Sequence, residues 1–153
     1  MAGSHDREGQ PGACFTAAEP EAASSLHTTP CDFARFLCAM MAPGGGSWQL
    51  GMESLAEMLK PQARLDDAVS WGLGWGLQTT NQGRAFWHWG DNPGFKSFAF
   101  AFPDLRAGLV VMTNGDGGLT LWEPIVRTIF DGDHPAFAWL AGFYGVPRLD
   151  AVP

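Results

Sequence analysis

Basic side chains are scarce in this chain: nine lysines and arginines stand against sixteen aspartates and glutamates, a formal charge of −7 over 153 residues. The nine (Arg7, Arg35, Lys60, Arg64, Arg84, Lys96, Arg106, Arg127 and Arg148) are scattered. No positive stripe of the kind that neutralises a phosphate backbone can form from them, which argues against nucleic acid as a partner. Long apolar runs are missing too. No stretch approaches the roughly 18 residues that a membrane-spanning helix needs, and Met1 to Gln10 is polar where an export signal would carry its apolar segment. The sequence as written is therefore expected to stay in the cytoplasm and off the membrane, whereas a longer parent protein could be exported. Cysteine is also sparse. Cys14, Cys31 and Cys38 are an odd count without metal-ligand spacing, and on one helix Cys31 and Cys38 would lie about 10 Å apart by rise alone. A disulfide needs Cα atoms closer than about 7 Å, so buried or semi-buried free thiols are expected. No internal repeat and no second domain are visible.

What is present begins as an irregular arm. Residues 1–25 are rich in Gly, Ala, Glu and Pro and lack periodicity, which predicts loose order. Thr29-Pro30-Cys31-Asp32 then reads as a helix start: Thr29 caps, Pro30 suits the first helical position, and Asp32 opposes the positive end of the dipole. Phe33, Phe36, Leu37, Met40 and Met41 follow at helical spacing and predict one apolar face of a helix of about twelve residues, ended by Pro43 and Gly44-Gly45-Gly46. Met52 to Lys60 predicts a shorter helix with Leu55, Met58 and Leu59 inward, stopped by Pro61.

After Ala68 the period changes to two. Trp71-Gly72-Leu73-Gly74-Trp75-Gly76-Leu77 alternates large side chains with none and is expected to be a strand with an open glycine face. A hairpin connection from Thr79 to Arg84 leads to Ala85-Phe86-Trp87-His88-Trp89, and the chain turns again at Asp91 to Gly94. Phe95 to Phe102 puts three phenylalanines on one face and Ser97, Ala99 and Ala101 on the other. Leu109-Val110-Val111-Met112, without alternation, suits a strand covered on both faces. A last helix is expected from Leu119 to Phe130, with Leu121, Trp122, Ile125, Val126 and Ile129 inward, and one further helical turn from His134 to Leu140. The seven tryptophans sit where core packing is the simplest account, and His134, His5 and His27 read as a turn, a solvated tail and a loop or cap residue. The expected fold class is α+β: an antiparallel sheet of about four strands with flanking helices.

Five segments, in order, carry a resemblance: residues 26–37, Gly72-Leu73-Gly74-Trp75-Gly76, His88-Trp89-Gly90, Pro93-Gly94-Phe95 and Val111-Met112-Thr113-Asn114-Gly115. Together they resemble the C-terminal half of the serine β-lactamase and penicillin-binding-protein-like hydrolases. The resemblance implies that residues 26–142 form that half of the domain, after an arm over 1–25 and before a tail over 143–153. It implies hydrolysis of an ester, amide or β-lactam through an acyl-serine in a complete family member, with no cofactor and no metal.

Residue by residue, the resemblance puts His88, Trp89 and Gly90 on the third active-site motif, usually Lys-Thr-Gly. Histidine in that first position is similar to the esterase-like and aminopeptidase-like branches. His88 would orient a substrate carbonyl or carboxylate. Gly90 would let substrate approach the backbone, and the N–H of Asp91 would supply one oxyanion donor. Trp89 and Asn92 would contact substrate. The family's Ser-x-x-Lys helix start and its Tyr-x-Asn or Ser-x-Asn loop have no match: no serine has lysine three residues on, and the only tyrosine, Tyr144, precedes Gly145-Val146. Without an activated nucleophile no acyl-enzyme forms, so the chain alone is expected to be inactive. Two other expectations stand beside this one. One is a ligand-binding module that uses exposed tryptophan faces. The other is assembly with an N-terminal half or a second copy through a sheet edge at Leu109 to Met112.

Overall fold

The computed structural model describes residues 2–13, 17–42 and 50–145. Cys14, Pro43, the triple glycine and Trp48 lie outside the described residues. Where composition predicts a loose arm, the chain opens with a small hairpin of β1 (Ser4–His5) and β2 (Pro11–Gly12). Asp6 Oδ1 accepts from the backbone N–H of Glu8 and of Gln10 and so closes its turn. Ser4 is buried. His5, expected in solvent, is half-buried, bridges to Gly115 and donates from Nδ1 to Asn114 O at 3.1 Å. Composition predicted loose order because it cannot see that Asn114 and Gly115 supply these partners.

Thr29 caps α1 (Pro30–Met41) as expected, its Oγ1 accepting from Asp32 N at 3.1 Å. Leu37 and Met40 are buried, with Phe33 and Met41 packed beside them. Phe36 departs from the expected apolar face: it stays 45% exposed and stacks on Trp75. Cys31 and Cys38 are free but exposed rather than buried, because the inward face of α1 belongs to Leu37 and Met40. Helix α2 (Met52–Met58) stops short of Lys60, and Met58 O accepts instead from Leu73 N at 2.9 Å.

Six strands, not four, form one antiparallel sheet in chain order: β3 (Ala63–Arg64), β4 (Val69–Trp71), β5 (Gly76–Thr80), β6 (Gly83–Asn92), β7 (Phe95–Phe102) and β8 (Ala107–Thr113). The expected single strand from Trp71 to Leu77 is a hairpin instead. Gly72 N donates to Trp75 O at 2.8 Å, Gly74 adopts φ +81°, and Trp71 pairs with Gly76 across the turn. The alternating glycines let the chain reverse, which a period-two pattern alone cannot distinguish from an extended run. Pro93 and Gly94 (φ +72°) form the two-residue turn from β6 to β7, Pro fixing the first φ and Gly accepting the positive one. Strand β8, expected from its unbroken apolar run to be an interior strand covered on both faces, is only half-buried along its length and lies at the edge of the sheet, with Leu109 and Val111 packed toward one cluster and Val110 toward the other.

After β8 a tight 3-10 turn (Asp116–Leu121) precedes α3 (Trp122–Ile129), and Leu121 and Ile129 are exposed rather than inward. The single turn expected after His134 is a ten-residue helix, α4 (Pro135–Tyr144), ended by Gly145 in the left-handed conformation. His134, expected as a turn residue, is the fully buried N-cap position of α4. Its Nε2 donates to Phe130 O at 3.0 Å, leaving Nδ1 to accept from Gln78 Nε2 at 3.3 Å, while Gln78 Oε1 accepts from Ala136 N at 3.0 Å. This network ties the start of α4 to β5.

The sheet separates two apolar clusters. Phe98, Phe100, Phe102, Trp87, Trp122, Val126 and Phe137 belong to one, and Leu37, Met40, Leu55, Trp75, Phe86, Ala99 and Ala101 to the other. The alternation of phenylalanine and alanine along β7 thus assigns each face as the sequence predicts. Among the described residues no helix is long and apolar enough to cross a membrane.

Candidate active site

Strand β5 reaches only to Gly76, opposite Trp87, so beyond Trp87 strand β6 pairs with β7 alone. His88, Trp89, Gly90, Asp91 and Asn92 all lie on that stretch. A cleft of about 450 Å³ opens beside it, lined by His88, Gly90, Asn92 and Ser97 and walled by Phe36 and Trp75.

His88 is exposed, yet the rings of Trp89, Trp71 and Trp75 stand 5.5, 5.6 and 6.1 Å from its own. Loss of water around the imidazole lowers its pKa below the ordinary 6.5, with the hydrogen bond to the Trp89 carbonyl working the other way. That bond, Nδ1 to Trp89 O at 2.7 Å, puts the proton of the neutral ring on Nδ1, because a carbonyl only accepts. Nε2 then carries a lone pair, and the side chain is an acceptor at neutral pH.

Gly90 answers first to its cross-strand neighbour. A Cβ there would fall 2.5 Å from Ser97 Oγ, so the missing side chain makes room for a hydroxyl in the cleft wall. Asn92 Nδ2 donates to Ser24 O at 3.4 Å and draws the segment before α1 against the cleft.

Trp89 and Asp91 are held by partners that sequence reasoning did not anticipate. Trp89 Nε1 donates to Tyr144 Oη at 2.9 Å, and that hydroxyl donates to Asp91 Oδ2 at 2.9 Å. Burial, followed by the neighbouring Asp91 carboxylate, drives the Tyr144 pKa far up, so the phenol keeps its proton. Directly opposite Asp91 on β7, the buried Lys96 ammonium contacts Asp91 Oδ1 at 2.8 Å, Asp116 Oδ1 at 2.5 Å and Asn92 O at 2.8 Å. Burial works against its charge, but the two carboxylates outweigh it and raise the Lys96 pKa. Asp116 also accepts from Gly94 N at 2.8 Å, and the Lys96 hydrogen bond leads the effects that lower its pKa. Asp116 serves as a counter-ion of Lys96. Opposite charges flanking a two-residue turn are the signal that could have found the Asp91–Lys96 pair; Tyr144, far along the chain, gave no signal. Among the described residues no cluster of histidine, cysteine and carboxylate side chains is placed to hold a metal ion.

Residues 2–131 match the family model described as "Beta-lactamase". The chain belongs to the β-lactamase family, whose serine-hydrolase members include penicillin-binding-protein-like enzymes, as the five sequence segments implied. No curated protein matches it. Among solved structures it is similar to a penicillin-binding protein from Bacillus halodurans, with 18% identity over 67% of this chain and 30% of that one and a TM-score of 0.57. It is also similar to a D-stereospecific amidohydrolase from Streptomyces sp., with 21% identity over 68% of this chain and 30% of that one and a TM-score of 0.51. The chain spans about a third of the length of these two proteins. At such identities they establish the fold.

Proposed function

We propose that these residues form one wall of a serine-hydrolase cleft, the wall that orients the scissile carbonyl of an ester, amide or β-lactam. The carrying observation is that His88, Gly90 and Asn92 line one cleft beside the part of β6 that β5 leaves unpaired. An unpaired strand edge offers backbone N–H groups to an incoming oxygen. In this assignment the N–H of Asp91 is one oxyanion donor, His88 Nε2 accepts from an N–H or hydroxyl of the substrate beside its carbonyl, and Asn92 and Trp89 border the bound molecule. Lys96 and Tyr144 grip the Asp91 carboxylate from two sides and so fix the donor's position. The attacking serine and its lysine are supplied by polypeptide outside this sequence, since no Ser-x-x-Lys occurs within it. The 153 residues alone therefore do not turn over substrate.

Incubation of the purified chain with a chromogenic ester and a chromogenic β-lactam checks this. No turnover above background is expected from the chain alone. Adding a family polypeptide that carries Ser-x-x-Lys is expected to produce turnover that His88→Ala reduces by about 10²-fold or more. Hydrolysis by the isolated chain that persists in His88→Ala would overturn the assignment.

A second role, assembly through β8, is favoured by one observation: β8 is the last strand of the sheet, with Leu109 and Met112 only half-buried. Unpaired edges recruit strands. Sedimentation velocity over a range of concentrations tests it, a size independent of concentration counting against self-association.

A further inference from the structure

The cleft contains apolar surface and hydrogen-bonding groups but no fixed positive charge. Among the described residues that line it there is neither lysine nor arginine. Lys96, on the adjoining strand, is spent: its Nζ is engaged by Asp91, Asp116 and the Asn92 carbonyl. His88 presents a lone pair at Nε2, and its lowered pKa keeps it neutral at physiological pH. A carboxylate entering here would shed water and meet only neutral donors and the His88 lone pair, with no counter-charge to offset the loss. The chain's overall charge of −7 repels anions further.

The opposite wall is hydrophobic. Phe36 stacks on Trp75 with ring centroids 6.2 Å apart, and on the sheet side half-buried Val110 and Met112 extend the apolar surface across from Ala99 and Ser97. At about 450 Å³ the space is in the range that takes a small molecule rather than a single atom or water.

We propose that this cleft receives an uncharged ester or amide carrying an aromatic or branched apolar group against Phe36 and Trp75, and that it discriminates against ligands bearing a carboxylate. The inference names the substrate class of the hydrolase wall described above and rests on it. It makes the polar contacts few and directional: Asn92 and the Ser97 hydroxyl are available to a carbonyl, and His88 Nε2 accepts from an amide N–H or a hydroxyl.

The test is a binding measurement, which needs no nucleophile. The full chain is titrated at pH 8 with 4-phenylbutyramide and with 4-phenylbutyrate, matched in shape and different in charge, by tryptophan fluorescence and by NMR shifts of His88. The amide is expected to bind at least about tenfold more tightly than the carboxylate. Phe36→Lys, at an exposed helix position that the fold tolerates, is expected to reverse that order by placing an ammonium in the cleft. Equal or tighter binding of the carboxylate to the unmodified chain would overturn the charge preference while leaving the cleft as a substrate site. Failure of both ligands to bind would remove the cleft itself as a substrate site, and this inference with it.

Discussion

Lys96 Nζ and Asp91 Oδ1 meet at 2.8 Å from directly opposed positions on β7 and β6, the lysine 5% and the aspartate 34% exposed. Asp116 reaches the same ammonium from the turn after β8. One buried cation therefore joins two strands and the loop that follows them.

Lys96→Met should be costly although the new side chain fits an apolar environment, because it leaves Asp91 and Asp116 facing each other without a counter-charge. A loss of about 2–4 kcal/mol is expected, at or below the range for breaking a buried pair because both carboxylates keep some water. Urea denaturation measures it. The double variant with Asp116→Asn should recover part of the loss.

The same pair sets an acid limit. The folded Asp116 carboxyl has a lower pKa than its ordinary 3.8, so folding opposes its protonation. Its contribution is complete above about 4 and is lost as pH falls through the lower folded value. Lys96 acts at the other end: its raised pKa means a contribution present below the ordinary 10.5 and lost as pH rises through the folded value. Denaturation midpoints taken against pH should therefore fall at both extremes, and Asp116→Asn should flatten the acid limb.

For His88, an NMR titration of the imidazole should give a midpoint below 6.5, because the tryptophan rings exclude water from its charged form. Trp71→Ala opens that cage and should move the midpoint back toward the ordinary value. The sign for stability is the same as for Asp116: the contribution is present above 6.5 and fades as pH falls through the depressed midpoint. An unshifted midpoint in the unmodified chain would contradict the packing around the ring.

Gln78→Leu removes two buried hydrogen bonds at once, one to His134 Nδ1 and one from Ala136 N. A cost of about 2–3 kcal/mol is expected, dominated by the polar groups left unpaired. Hydrogen exchange at Ala136 and Phe137 should accelerate more than exchange along β7, since α4 loses its tie to β5 while the sheet keeps its ladder.

The parts of this fold that were legible in sequence share a physical cause. Helix α1 and strand β7 announce themselves because cap, period and burial agree: Thr29, Pro30 and Asp32 in the one, three phenylalanines against two alanines in the other. Trp71 to Leu77 misleads because its period of two arises from tight reversal. Gly76 is bare for another reason, since a Cβ there would lie 2.5 Å from the Trp87 indole. The ends of the chain were harder still. Loose order over residues 1–25, which include the opening hairpin, and a single turn after His134 were the natural expectations, because the groups that organise the hairpin and α4 are Asn114, Gly115 and Gln78, all distant in sequence. At the cleft, His88, Gly90 and Asn92 could be named from one contiguous motif. The network behind them could not, because Tyr144 and Asp116 reach Asp91 and Lys96 only after the chain has folded back.

The sheet's strand order carries a kinetic meaning. From β3 to β8 every strand pairs with the next one along the chain, so each pairing closes only a short loop and little chain entropy is lost before contacts form. Such a meander can zip hairpin by hairpin, and its rate of formation does not wait on the encounter of remote segments.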